Sequence, residues 1–451
     1  MSIKSNTIQL LKFGVRVILY AISKFAWICH LKLPTNYRFL CLLSHGVGHN
    51  AMMRFLSECK VTLNWHYDQN GEKRYCDIWR MLVGGLLRNR FCVIAISELG
   101  FKDEKRFFAS ITKPADALCL VRDPISVLKC FVNLQYPSTS SSTIKECRLD
   151  TPYDEILKVF YSDFTQDFKA ICTEPTLVGL SNLITLHHNV IFIQNSLLHA
   201  LSGRIKSVYY MDMSAISKER AFESFQDLSA RFGFNPPVDR EIFEGKLYGS
   251  LSAILPFYLC VEYDSLDSAQ AAPPPQGISA PQKRVLKMLI TTLQKQDNTQ
   301  HSTDMTKYFV VPDEFSNIRI YANKKNYKEF MQSINAKQVF DSVKTYLNGF
   351  FEVLYKQTQT KKVIDESEIL TYLKANPQLA FKLKSLLDRE LAHIKANAPE
   401  IVQSWGYYQG FEMMCAYISQ DKPFDVASLS QLTQSIQSTK SAQPMQFVRE
   451  S

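Results

Sequence analysis

Four short runs, YRFLCLLS at 37–44, FCVIAIS at 91–97, ADALCLV at 115–121 and SVYYMDM at 207–213, are almost continuously apolar. A strand with apolar side chains on both faces must be covered on both faces, which is the situation of a parallel sheet between layers of helices. Helical patterns fall between and after these runs, at 49–59, 77–88, 124–135 and 152–172. A further helix opens near Ser217 and closes at Gly233, before Pro236 and Pro237 stop the chain. The alternation predicts an α/β domain over 36–264, a mainly parallel sheet flanked by helices.

The rest of the 451 residues divides by composition. Residues 265–282, SLDSAQAAPPPQGISAPQ, hold too little apolar surface to pack and predict a linker. Residues 283–430 read as a mostly helical region, with LKMLITT as an extra strand and a long helical pair broken near Pro399. The tail 431–451 is rich in Ser and Gln and reads as disordered.

Residues 1–35 carry a basic amphipathic helix. In TIQLLKFGVRVILYAISKFAWICH at 7–30, Lys12, Arg16 and Lys24 fall near one face, and Leu11, Val15, Ile18, Ile22 and Phe25 form another. The segment lacks the clean apolar centre of a secretory signal or a spanning helix. It reads either as a helix lying on an anionic membrane, with Phe25 and Trp27 dipping in, or as a helix packed on the protein's own core.

The charge balance of 52 Lys and Arg against 43 Asp and Glu suits acidic partners. No zinc finger, basic zipper or RNA-recognition motif is present, so nucleic acid is not an expected partner. The eleven cysteines lie between Cys29 and Cys415 with no CxxC pair, and neither a disulfide framework nor a metal site is expected.

Three constellations carry the candidate chemistry. In LLSHGVGHNAMMRFL an apolar strand runs into a turn with Gly46 and Gly48 and then a helix, whose first N–H groups and dipole favour an anion. Ser44, Gly46, Val47, Gly48 and Asn50 are the candidate phosphate cradle. The absence of GK[ST] excludes a Walker A loop. In ALCLVRDPISVLKCFVN, Arg122 stands at the carboxyl end of a buried strand, where ligands bind in open α/β sheets, and Asp123 caps the helix that opens at Pro124. In KSVYYMDMSAIS, Asp212 leads from a strand into a loop and is read as holding the first loop by hydrogen bonds.

In this order, SHGVGHN, VRDPIS and YYMDMS resemble the sulfotransferase-like P-loop family over about residues 37–235. The resemblance implies a P-loop sulfotransferase-like sheet and 3′-phosphoadenosine 5′-phosphosulfate as the donor. The first loop would take the 5′-phosphosulfate, and Arg122, with Ser126 as the nearer hydroxyl, the 3′-phosphate. The sequence departs from that pattern in having Ser44 and His45 where many members place a Lys or Arg, and Cys130 where a Ser is common. EGKLYG at 244–249 echoes the late loop that closes over the nucleotide. The chain also resembles an uncharacterised bacterial domain family, some of whose members are labelled capsular-polysaccharide biosynthesis proteins.

Sulfuryl transfer needs a base for the acceptor hydroxyl and donors around the moving group. His45, His49, His66 and Glu98 are the candidates, with His49 and Glu98 first. The expected protein is a cytoplasmic transferase at the inner face of the membrane, acting on a glycan or polysaccharide precursor. The alternatives are a non-catalytic scaffold of the same fold and a nucleotide-sugar glycosyltransferase; the latter lacks a DxD pair at Asp212.

Overall fold

The computed structural model describes residues 3–65, 68–137, 144–165, 170–244, 251–265, 283–293, 301–420 and 448–449, by backbone alone at 3–13, 170 and 448–449. His66, most of EGKLYG, the linker at 266–282 and all but two residues of the tail 431–451 lie outside the described residues. The chain forms two compact units, each assembled from separate stretches: 1–132, 177–244 and 364–451 in the first, 133–176 and 245–363 in the second.

The first unit is built on a mainly parallel sheet. Its strands β1 (Tyr37–Leu42), β2 (Thr62–Leu63), β3 (Cys92–Ile96) and β4 (Ala115–Val121) are joined by the strand Ile205–Asp212. β1 is central, pairing in parallel with β3 on one side and with β4 on the other, in the registers Leu40↔Ile94 and Leu40↔Ala117. β4 in turn pairs in parallel with Ile205–Asp212, and Val448–Arg449 adds an antiparallel edge. Every residue of β3 is buried, and in β1 and β4 all but Arg38 and Asp116 are. The apolar runs of the sequence thus become interior strands, as their lack of a polar face requires.

Helices α1 (Ile3–Ile28), α2 (His49–Glu58), α3 (Gly71–Leu87), α4 (Glu104–Ser110) and α5 (Pro124–Val132) belong to this unit. The helix Ala221–Phe232 ends on Gly233 at φ 79°, a left-handed cap that glycine adopts without strain. The long carboxyl-terminal helical stretch breaks into Pro377–Glu390, Ala392–Asn397, Pro399–Gln403 and Gly406–Ser419. Trp27, which the membrane reading placed beside Phe25 on an outward face and the alternative placed on the core, is buried, its ring 5.2 Å from that of Tyr75. Among the described residues no helix is long and apolar enough to cross a membrane.

The second unit holds a five-stranded sheet, ordered Ser302–Asp304, Ile318–Asn323, Lys283–Thr292, Phe257–Asp264 and Lys145–Cys147. Its pairs are antiparallel except the last. Phe257, Leu259, Ile290, Ile318 and Ile320 form its core with Leu347 and Phe350 of the helix Ala336–Thr360. The helix expected over 152–172 is corrected: among the described residues of this stretch only Tyr153–Leu157 is helical, and Val159–Ser162 pairs antiparallel with Gln135–Pro137 and Ala170–Cys172. Val159, Phe160 and Tyr161 are residues that suit a pleated, half-buried surface, and cross-strand pairing overrides the helical spacing.

Candidate functional site

The site lies wholly in the first unit, where the strand order reverses. From β1 the chain passes through α2 to β2 and β3 on one side, then crosses to β4 on the other. The loops after β1 and β4 therefore leave neighbouring strands at the switch point, the usual ligand position in an open α/β sheet. These are the loops SHGVGHN and VRDPIS.

The first loop is shaped by its glycines. Gly46 and Gly48 have φ of 84° and 90°, the left-handed region closed to most side chains. A Cβ on Gly46 would meet Val127 Cγ1 at 2.9 Å and Phe131 at 3.0 Å, so the loop lies directly on α5. Gly48 is the N-cap of α2 and brings no side-chain acceptor to the helix's first turn. Val47 is buried, and Asn50 is half-buried in that turn. Ser44 is buried and accepts from Gln194 Nε2 at 3.2 Å.

The second loop joins the first. Arg122 Nη1 donates to the Gly46 carbonyl at 3.0 Å and contacts Cys130 Sγ at 2.6 Å. Among the described residues no carboxylate pairs with Arg122. Asp123 caps α5 through the Ile125 N–H, as expected, and its other oxygen accepts from the N–H groups of Tyr407 and Tyr408, which open the helix Gly406–Ser419. Burial pushes its carboxyl up to about 6, although those N–H groups favour the charged form.

The imidazole of His45 and the Glu98 carboxylate meet behind the loop. His45 Nε2 lies 3.1 Å from Glu98 Oε1, and the other oxygen accepts from Gln69 Nε2 at 3.0 Å and Arg74 Nη2 at 2.5 Å. Arg74 is buried in α3 with its guanidinium 3.9 Å over the Phe101 ring. Burial raises the Glu98 pKa, but the His45 hydrogen bond and the Arg74 charge outweigh it, and the group is held below the usual carboxylate range. An ionised Glu98 makes Nε2 the protonated nitrogen of a neutral His45 and leaves Nδ1 as the basic one. The His45 side chain is 32% exposed, against 9% for Glu98.

His49 stands 4.9 Å from His45, ring to ring, and is buried. Burial, with the neighbouring His45, lowers its pKa to about 3. It is therefore neutral across the physiological range. Ser97, next to Glu98, and Gln194, next to Ser44, each carry a buried oxygen without a hydrogen-bond partner among the described residues. No cluster of three or more His, Cys, Asp or Glu among the described residues could hold a metal ion.

Two expected residues have other partners. Ser126 Oγ donates to Glu366 Oε1 at 2.8 Å, and Lys129 Nζ lies 2.8 Å from the other oxygen, so α5 presents its polar groups to a carboxylate of the chain itself. Asp212 Oδ1 accepts from the Ser214 N–H and Oδ2 from Trp405 Nε1 at 2.8 Å. It fixes the carboxyl-terminal helices, and among the described residues it makes no hydrogen bond to the first loop. Gln69, Arg74, Gln194 and Glu366 were not singled out in the sequence. Only the buried position of Arg74 on an amphipathic helix distinguishes it, and burial is not readable from type alone.

The architecture is thus mixed α/β, with a mainly parallel central sheet flanked by helices and a polar cluster at its switch point. Within this frame a DUF2972 domain, described as a protein of unknown function, is found over residues 210–418. The match begins inside the strand Ile205–Asp212 and ends in the helix Gly406–Ser419, so it takes in Asp212, Glu366 and Trp405 but not the glycine loop, Glu98 or Arg122. No curated protein and no solved structure matches the chain.

Proposed function

We propose that the first unit is a sulfotransferase-like P-loop transferase site for a phosphate-bearing nucleotide, acting on a hydroxyl of a cell-surface glycan or polysaccharide precursor. The observation that carries this reading is the bond from Arg122 to the Gly46 carbonyl, which sets on the glycine loop a guanidinium that no carboxylate among the described residues pairs with. The first turn of α2 and Arg122 would neutralise the nucleotide phosphates. The proposed donor, 3′-phosphoadenosine 5′-phosphosulfate, supplies an activated sulfuryl group.

His45, oriented by Glu98, would take the acceptor's proton on Nδ1 as the acceptor oxygen bonds to sulfur and the sulfur–oxygen bond to the 5′-phosphate breaks. The charge on Glu98 stabilises the imidazolium that forms. His49, neutral and adjacent, would serve as a hydrogen-bonding group rather than a cation. Without a Lys in the loop, Arg122 would supply the positive charge.

Calorimetry with 3′-phosphoadenosine 5′-phosphate tests this. Binding by the wild type, weakened about tenfold or more by Arg122→Ala, is the expected result, a loss of about 1.4 kcal/mol or more. Absence of binding, or equal binding by both, overturns it. The bonds from Ser126 and Lys129 to Glu366 favour a second reading, a non-catalytic scaffold of the same fold. Nucleotide binding with no transfer to any of a panel of glycans would support that reading.

A further inference from the structure

The helix α1 is turned the wrong way for a helix that serves only its own core. Val15, Ile18, Ile22 and Phe25 recur at spacings of three and four residues and so share one stripe. That stripe is exposed, with Ile18 at 60% and Phe25 at 64%. The buried positions are Ser23, Ala26 and Trp27, on an adjoining face. An amphipathic helix docked on a protein core buries its apolar stripe; this one presents it outward.

The surface continues onto α3. Trp27 packs on Tyr75, Ser23 bonds Cys76, and the Tyr20 ring lies 5.1 Å from the Arg80 guanidinium, so α1 runs antiparallel to α3. Going back along α1 therefore leads toward the end of α3, where Leu86 and Leu87 are exposed and are followed by exposed Arg88 and Arg90. The charge around this face is one-sided. The sequence of α1 contains Lys4, Lys12, Arg16 and Lys24 and no acid. The acids of α3 are Glu72, 3.8 Å from Lys24, and Asp77, paired with Arg80.

We infer that the outer face of α1, with Leu86, Leu87, Arg88 and Arg90 at the end of α3, is a docking surface for an anionic bilayer. Apolar side chains enter the boundary between headgroups and acyl chains, and flanking cations meet lipid phosphates, with their stems lying along the apolar surface. A second copy of the chain is the poorer occupant, because a seam between two such faces would bring like charges together. The inference does not depend on the reading of the nucleotide site.

The full chain is to be co-sedimented with vesicles of phosphatidylcholine alone and of phosphatidylcholine mixed with phosphatidylglycerol. Binding to the anionic vesicles that declines with salt is expected. Ile18→Glu/Ile22→Glu should weaken it about tenfold or more, and Arg88→Glu/Arg90→Glu should weaken it on the anionic vesicles alone. If the first variant loses its cooperative melt, Leu86→Gln/Leu87→Gln reads the same surface. No preference for anionic vesicles, or no loss in the variants, overturns the proposal. A wild-type dimer that Ile18→Glu/Ile22→Glu splits, with no vesicle binding, assigns the face to self-association and overturns it equally.

Discussion

Arg122 Nη1 donates to the Gly46 carbonyl oxygen across 3.0 Å, tying the loop after β4 to the loop after β1. Two features 76 residues apart in sequence are thereby one local structure. The sheet order accounts for this: β1 and β4 are neighbouring parallel strands, so the loops that follow them leave the same edge side by side. Gly46 is required on steric grounds as well as conformational ones, since α5 occupies the volume its side chain would need.

The two glycines should therefore differ in tolerance. Gly46→Ala combines a φ of 84° with contacts of 2.9 and 3.0 Å to Val127 and Phe131, whereas Gly48→Ala meets Ile216 at 3.1 Å and the flexible Met213 at 3.3 Å. Gly46→Ala is expected to cost about 2–4 kcal/mol and Gly48→Ala about 1–2 kcal/mol in urea denaturation. Equal losses would show that backbone strain alone sets both.

Arg74→Met should be among the most destabilising changes in the first unit. It leaves Glu98 buried beside His45 without its cation, a loss of about 3 kcal/mol or more. The depressed carboxyl contributes stability that is present above its unfolded pKa and is lost as pH falls through its folded value; without Arg74 the folded pKa rises toward the unfolded one, so the variant should lose less stability than wild type over that range. Adding Glu98→Gln to Arg74→Met should recover part of the loss. A double-mutant cycle showing no coupling would separate the two residues.

Glu366 is predicted to compete with phosphate. Ser126 and Lys129 both bond its carboxylate, so Glu366→Gln should lower stability by about 1–2 kcal/mol. It should also tighten binding of 3′-phosphoadenosine 5′-phosphate several-fold, measured by calorimetry. Unchanged affinity would show that Ser126 serves only to hold the helix that opens at Glu366.

What could be read in the sequence followed from local constraint. β1, β3 and β4 are apolar on both faces, and such runs have few other destinations, so the mainly parallel sheet was legible. The glycine loop and Arg122 were legible because each follows such a run. The partners of Asp123 and Ser126 were not, because Tyr407, Tyr408 and Glu366 come from roughly 240–285 positions further along the chain. The pairing of Phe257–Asp264 with Lys283–Thr292 was hidden by the Pro-rich composition of the segment between them. At 159–162, alternate pairing with two neighbours decided for strand where spacing suggested helix.

Asp123 and His49 should pull the pH dependence of stability in opposite directions. The folded Asp123 carboxyl binds its proton up to about pH 6, against an ordinary 3.8, so between these values the folded state holds more proton than the unfolded one. Its contribution is present at low pH and is lost as pH rises to 6, by about 3 kcal/mol at most. His49 is lowered from 6.5 to about 3, so over that range the unfolded state holds the proton. Its contribution is present above 6.5 and is lost as pH falls toward 3, by about 4–5 kcal/mol at most. Relative to wild type, Asp123→Asn should therefore lose ground as pH is lowered from 6 to 4, and His49→Gln should gain it. Urea midpoints of the three proteins at pH 4, 5, 6 and 7 give the comparison directly. Parallel curves for wild type and Asp123→Asn would mean that the N–H groups of Ile125, Tyr407 and Tyr408 hold the carboxylate ionised in spite of its burial.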